Sequence, residues 1–130
     1  MKTWNASCSC GQLTASCTGE PVRISMCHCL ACQRRTGSVF SAQARWTRDA
    51  VTTAGRSSSY VRTADSGNTI TFHFCPECGA TVYYWRNDLP EVIAVPVGAF
   101  ADPDFPQPNF SVYESRKHGW VQTPEGSKIG

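Results

Sequence analysis

Leucine is scarce in this chain, with three residues in 130, whereas valine, isoleucine and threonine together supply 26. Leucine suits helices and the β-branched residues suit the pleated strand, so the fold should be mostly β. Long apolar runs are missing too. No stretch approaches the roughly 18 residues a spanning helix needs, and Met1 to Cys10 has no apolar segment behind a basic start. The expectation is a soluble, unexported, cytoplasmic chain without a membrane partner. Charge of one sign is also lacking. Twelve basic against ten acidic side chains leave a formal charge of +2, and no run of like charge exceeds a pair such as Arg34-Arg35 or Arg116-Lys117. The pI near 8.1 lies below the value of about 9 usual for nucleic-acid binders, so no nucleic-acid partner is expected.

What is present is alternation. Phe40, Ala42, Ala44 and Trp46 share one strand face, with Ser41, Gln43 and Arg45 on the other, and Ile70, Phe72 and Phe74 likewise oppose Thr69, Thr71 and His73. Further strand candidates are Trp4 to Ser9, Gln12 to Cys17, Val22 to Cys27, Thr81 to Trp85, Glu91 to Val97 and Phe110 to Glu114. Turn-forming residues divide them at Asp65-Ser66-Gly67-Asn68 and at Arg86-Asn87-Asp88-Leu89-Pro90. The one short helix expected runs from about Leu30 to Thr36, stopped by Gly37. Three prolines between Asp102 and Asn109 predict an extended loop. The length suits one domain, which we place at residues 1–121, with 122–130 as a loosely held tail.

Eight cysteines make up about 6% of the chain, below the level that marks a disulfide scaffold. In a reducing cytosol clustered thiols more often bind metal than pair with each other. Cys75-Pro76-Glu77-Cys78-Gly79 has the C-x-x-C-G form of a zinc knuckle, whose tight turn aims two thiolates at one point. Cys8-Ser9-Cys10-Gly11 is its shorter partner, since residues i and i+2 of an extended chain share a face. Closing the loop between Cys10 and Cys75 costs roughly 3.7 kcal/mol plus a constant, against the 10 kcal/mol or more that a four-thiolate zinc site supplies. A redox role for this C-x-x-C lacks the βαβ context it normally has, so structural zinc is the better reading.

Cys27-His28-Cys29-Leu30-Ala31-Cys32 brings three more thiols within reach of one ion. Structural zinc sites almost always have four protein ligands, whereas catalytic ones commonly have three and leave a position for water or substrate. The chain therefore calls for two zinc ions, the second with an incomplete ligand set. Cys17, His28, His73 and His118 are the alternatives for a fourth ligand. His28 would point away from its neighbours in an extended segment, and Cys17 shares parity with Leu13 and Ala15 as a small buried hydrophobe. His73 reads as an ordinary polar-face residue. The tryptophans Trp4, Trp46, Trp85 and Trp120 read most simply as packing, though one could wall a pocket.

The C-x-C-G start, the C-x-C-x-x-C centre followed by Gln33-Arg34-Arg35-Thr36-Gly37, and Phe74-Cys75-Pro76-Glu77-Cys78-Gly79 together resemble the glutathione-dependent formaldehyde-activating enzyme family, which includes centromere protein V-like domains. Tyr113-Glu114-Ser115-Arg116 is similar to the family's closing motif. The resemblance covers residues 4 to 120 or so. It implies a β-tent, folded sheets stapled by a structural zinc at Cys8, Cys10, Cys75 and Cys78, with a second zinc on Cys27, Cys29 and Cys32. It also implies a carbon-sulfur lyase interconverting S-hydroxymethylglutathione with glutathione and formaldehyde. Glutathione carries two carboxylates and one amine, and Arg34 and Arg35, directly after the second cluster, are the residues best placed to neutralise it. Cys27, Cys29 and Cys32 would then be the catalytic centre. The competing readings are a protein-binding module in which both zincs are structural, and a thiol sensor or metal store. The sequence leaves a homo-oligomer open.

Overall fold

The computed structural model, which describes all 130 residues, has eleven strands, most of them on segments of apolar alternation. In chain order they are β1 (Thr3–Ser7), β2 (Thr14–Thr18), β3 (Arg23–Cys27), β4 (Ser41–Thr47), β5 (Val51–Ala54) and β6 (Ser58–Thr63), followed by β7 (Thr69–Phe74), β8 (Thr81–Arg86), β9 (Val92–Pro96), β10 (Phe110–Val112) and β11 (Lys128–Ile129). The one α-helix, α1 (Leu30–Thr36), has the bounds expected from the sequence. It starts where the Cys29 sulfur accepts from the Cys32 N–H at 3.2 Å. It stops at Gly37, whose φ of 74° is open to glycine at little steric cost. No helix is long and apolar enough to cross a membrane.

Two sheets result. The smaller has the order β1-β2-β5, and the larger runs β11-β10-β3-β4-β9-β8-β7-β6. The core lies between them. Trp4, Ala6, Ala15 and Cys17 from the small sheet meet Ile24, Ala44, Trp46, Ile93 and Val95 from the large one. Cys17 is fully buried beside Leu13 and Ala15, as its strand parity indicates. Trp46, 1% exposed, is the largest fully buried side chain, and its indole N–H donates to the Gly19 carbonyl at 2.8 Å. Truncating such a residue typically costs about 3–5 kcal/mol. Phe100, at the end of a 3-10 turn after β9, and Phe105, from the proline-rich segment, stack at 4.8 Å and close the core edge over Trp4.

The other face of the large sheet is polar and lies under a cavity. Pairing puts Arg23 opposite Arg45, Ser25 opposite Gln43 and Cys27 opposite Ser41, all on the face turned away from the core. Ser25, Gln43 and Ser41 are buried although polar, and they satisfy one another. Ser41 donates to Gln43 at 3.0 Å and Gln43 donates to Ser25 at 2.9 Å. The apolar face of β7 joins this surface and not the core, since Ile70 and Phe72 line a cavity over it.

Three strands had no counterpart in the sequence reading. β5 and β6 are almost wholly exposed, so no inward apolar set marks them. The tail, expected to be loosely held, carries β11, which pairs in parallel with β10. Lys128 and Gly130 donate backbone N–H groups to Asn109 and Ser111 at 3.0 and 2.9 Å. Thr123 donates to Glu114 at 2.7 Å and accepts from Lys117 at 3.0 Å. Main-chain pairing holds this segment, and main-chain pairing leaves no hydropathy signature.

Gly55 marks the closest approach of backbone to backbone. A Cβ there would lie 1.9 Å from the Gln12 carbonyl oxygen, and its φ is 98°. Gly67, with φ 91°, has nothing within 4 Å. Gly55→Ala should therefore cost at least about 2 kcal/mol, and Gly67→Ala only about 1 kcal/mol, for the left-handed backbone alone. Urea unfolding of the two variants checks this, and equal losses would remove the steric argument.

Candidate metal centres

Cys8, Cys10, Cys75 and Cys78 converge, with their sulfurs within 4.8 Å of one another. Cys8 lies 3.6 Å from Cys10, and Cys10 lies 3.6 Å from Cys75, sulfur to sulfur. All eight cysteines are free. A disulfide needs about 2.05 Å, whereas the edge of a tetrahedron with 2.3 Å zinc–sulfur arms is about 3.8 Å, so the spacing suits an ion and not a covalent pair. Donors aim at the sulfurs as they would at thiolates. The Gln12 amide donates to Cys75 at 2.9 Å, the Leu13 N–H to Cys8 at 3.3 Å and the Glu77 N–H to Cys75 at 3.4 Å. Burial pushes the Cys75 thiol up, but these hydrogen bonds from Gln12 and the backbone outweigh it and bring it down to about 6. Gln12 is itself held by Arg56, whose carbonyl accepts at 2.7 Å and whose N–H donates back at 2.9 Å.

Cys27, Cys29 and Cys32 form a second group within the same 4.8 Å limit. Cys27 ends β3, Cys29 caps α1 and Cys32 lies in its first turn, so the strand-to-helix bend brings the three together. The sulfurs of Cys27 and Cys32 are 3.5 Å apart. The hydrogen bond shared with Cys27 draws the Cys32 thiol down to about 4, against its burial, with Cys29, Ser41 and Arg35 assisting. That same bond pushes Cys27 up, and burial pushes Cys29 up. An anion held among thiols is what a cation site needs, so this donor set also fits zinc.

None of the other residues weighed for a fourth ligand belongs to this group. Cys17 is in the core. His28 is fully buried between two of the cysteines, but its Nε2 lies 3.0 Å from the Ser111 hydroxyl and 3.4 Å from Glu114. His73 pairs with Ser57 at 2.9 Å and stacks against both Tyr83 and Trp85 of the neighbouring strand. His118 meets Gln33 at 3.0 Å on α1.

The three thiols line a cavity of about 320 Å³ over the outer face of the large sheet. None of the four thiols of the first group does. Ala94 and Tyr84 continue the floor beyond Arg45, and Phe72 and Trp85 add aromatic walls. Burial pushes the Tyr84 hydroxyl well above its ordinary value, so it stays protonated at neutral pH. Arg35 lines the cavity, its guanidinium 4.8 Å from the Phe72 ring and 5.1 Å from the Tyr84 ring. Arg34 lies instead on a wider depression of about 770 Å³ that shares Cys29, Arg35 and Phe72 with the cavity. At the rim, Tyr113 holds a left-handed φ of 57°, a strained conformation of the kind concentrated at functional sites.

Sequence reasoning missed Arg23, Arg45, Arg62, Arg86 and Tyr84 as cavity residues. Arg45 could have been found, because it extends the polar face that Ser41 and Gln43 begin on an alternating strand. The others enter only through strand pairing.

A search of curated proteins found no match. Among solved structures, the chain resembles the crystal structure of a Rhodobacter sphaeroides protein, a Northeast Structural Genomics target, with a TM-score of 0.57 and 20% identity. The likeness covers 78% of this chain and 90% of that one, and at this identity it is one of fold. The sequence profile of the glutathione-dependent formaldehyde-activating enzymes matches residues 3–116, a span that includes both cysteine groups. The chain belongs to the glutathione-dependent formaldehyde-activating enzyme family.

Proposed function

We propose that the protein is a zinc-dependent carbon–sulfur lyase, similar to S-hydroxymethylglutathione synthase, acting in the cytoplasm on a thiol–aldehyde adduct. Glutathione and formaldehyde are the pair its family name implies. The observation that carries this reading is placement. The group with three sulfurs opens on the cavity, and the group with four stands outside it. Cys8, Cys10, Cys75 and Cys78 would hold a structural zinc, and Cys27, Cys29 and Cys32 a catalytic one. Zinc bound at the latter would supply a Lewis acid with room for one more sulfur or oxygen donor.

The chain's own residues account for the rest. In the forward direction a carbon–sulfur bond forms between thiol and aldehyde, and the thiol proton ends on the aldehyde oxygen; the reverse step undoes both. Tyr84, protonated and in the same cavity as the three sulfurs, is suited to hold that proton next to the oxygen. Phe72 and Trp85 exclude water from one wall. Arg35 offers its charge to the thiol's anionic groups inside the cavity, and Arg34 from the depression outside.

Protein purified without chelator should carry two zinc ions per chain by elemental analysis; one or none in folded protein would remove the two-site reading. Cys75→Ser should lose most of the stability to urea, because it releases a long closed loop. Cys29→Ser should lose one zinc and keep its far-ultraviolet spectrum. Equal unfolding by both would mean that each metal is structural and would favour the protein-binding module.

Activity is best read by exchange-sensitive NMR at equilibrium, since thiol addition to formaldehyde already proceeds in water. Zinc-loaded protein should accelerate exchange between glutathione, formaldehyde and their adduct, and Cys29→Ser should abolish the acceleration. Tyr84→Phe should slow exchange by roughly a hundredfold with zinc content unchanged. No acceleration by the zinc-loaded protein would reject the lyase reading, and an unaffected Tyr84→Phe would move the proton elsewhere.

A further inference from the structure

The chain's formal charge of +2 conceals a concentrated cationic surface. Five arginines, Arg23, Arg35, Arg45, Arg62 and Arg86, line the cavity, against a single carboxylate, Asp65. They divide into two sets. Arg35 stands one helical turn after Cys32 on α1, beside the sulfur group, and Arg62 shares the Phe72 ring with it at 5.0 Å. Arg23, Arg45 and Arg86 form the other set. Two of these three feel the positive charge of another. Burial, then Arg86, draws Arg23 down, and burial, then Arg23, draws Arg45 down.

Of this second set only Arg86 has an acid, Asp88, at 2.7 Å. Arg23 and Arg45 form no ion pair, and neither side chain donates a hydrogen bond to the protein. Arg23 rests its guanidinium on the Phe110 ring at 3.9 Å, and its Nε is buried with no partner. Arg35 and Arg62 also bury an Nε without a partner, so three of the five orphaned buried polar atoms in the chain belong to cavity arginines. Crowding like charges in a partly dry cleft is unfavourable unless an anion completes it. The register gives the distance. Arg23 and Cys27 lie on the same face of β3, four residues apart, which is roughly 13 Å at about 3.3 Å per residue. The uncharged pair Ser25 and Gln43 paves the floor between them.

The geometry points to a carboxylate subsite formed by Arg23 and Arg45, with Arg86 beside them, at the end of the cavity remote from the three sulfurs. Resting on the reading of those sulfurs as the place where a thiol reacts, it assigns the far carboxylate of such a thiol to arginines of β3, β4 and β8 and leaves Arg34 and Arg35 to the end nearer the sulfurs. Small neutral thiols would leave the arginines unmatched. The planar fork of each guanidinium suits a carboxylate bidentately, which an ammonium could not reproduce.

The test separates this subsite from the lyase chemistry by using a ligand that cannot react. S-methylglutathione has its sulfur blocked and its carboxylates free; its diethyl ester has both blocked. Calorimetric titration of zinc-loaded protein should show S-methylglutathione binding at least about tenfold more weakly to Arg45→Gln and to Arg23→Gln than to the wild type. The ester should bind all three proteins equally weakly, and added salt should weaken the acid more in the wild type than in either variant. Arg45→Lys should fall between. Zinc content and far-ultraviolet spectra confirm that the variants fold, and the two substitutions stand on different strands. Equal affinities for acid and ester in the wild type, unchanged affinity in both glutamine variants, or no binding of S-methylglutathione to the wild type would each overturn the subsite. A protein that binds the acid as described but accelerates no exchange would retain the subsite and lose the lyase.

Discussion

Strand β4 is covered on both faces, and that double burial organises the molecule. Ala44 and Trp46 face the small sheet, where they seal the core. Ser41, Gln43 and Arg45 face the opposite way, under the cavity. A strand buried on two sides usually reads as continuous apolar sequence. This one alternates, because one of its coverings is a packed core and the other is a polar cleft. The hydrogen-bonded chain from Ser41 through Gln43 to Ser25 is what makes the second burial tolerable, since each buried polar group there finds a partner within the cluster.

The parts of this arrangement that were legible in the sequence are those written in local chemistry. Cysteine spacing marked both sulfur groups, and Gly37 marked the end of α1, because a turn, a knuckle or a left-handed cap is set by residues adjacent in the chain. The alternation of β4 was also legible, down to which residues share a face. What it could not disclose was that the polar face is enclosed. Solvent and a ligand cavity ask for the same residue types on a strand. The apolar set of β7 misled in the opposite sense, as Ile70 and Phe72 were assigned a hydrophobic face that turns out to wall the cleft. β11 escaped because two residues held by backbone hydrogen bonds carry no periodicity. The cationic set escaped because residues 23, 45 and 86 become neighbours only when β3 pairs with β4 and β9 links β4 to β8.

The two sulfur groups show how environment separates similar donor sets. Around the group of four, the donors are a glutamine side chain and backbone N–H groups, all fixed by the turns that present the cysteines. Such donors neutralise sulfur charge without offering space. Gln12 adds a structural link, because the same amide that serves Cys75 also anchors the Arg56 backbone next to Gly55, so the site and the β5–β6 connection are mutually braced. Around the group of three, the neighbours are Ser41, Arg35 and a cavity wall. The cavity beside these three sulfurs is lined with arginine and aromatic rings.

That difference extends to charge. Three thiolates and one divalent cation would sum to about −1, which a nearby arginine can balance, and Arg35 occupies that place. If the remaining cavity arginines served only to offset the sulfur group, they would be expected beside it. Arg23 and Arg45 instead stand at the far end of β3 and β4, without an acid of their own, beside Arg86, whose charge Asp88 pairs at 2.7 Å. An excess positive charge held away from the thiolates favours an incoming anion, and the low dielectric of a cleft strengthens that field over what the net charge of the chain would suggest. A molecule with a sulfur at one end and carboxylates at the other would be oriented before any bond changes, with its anionic end fixed and its sulfur delivered to Cys27, Cys29 and Cys32.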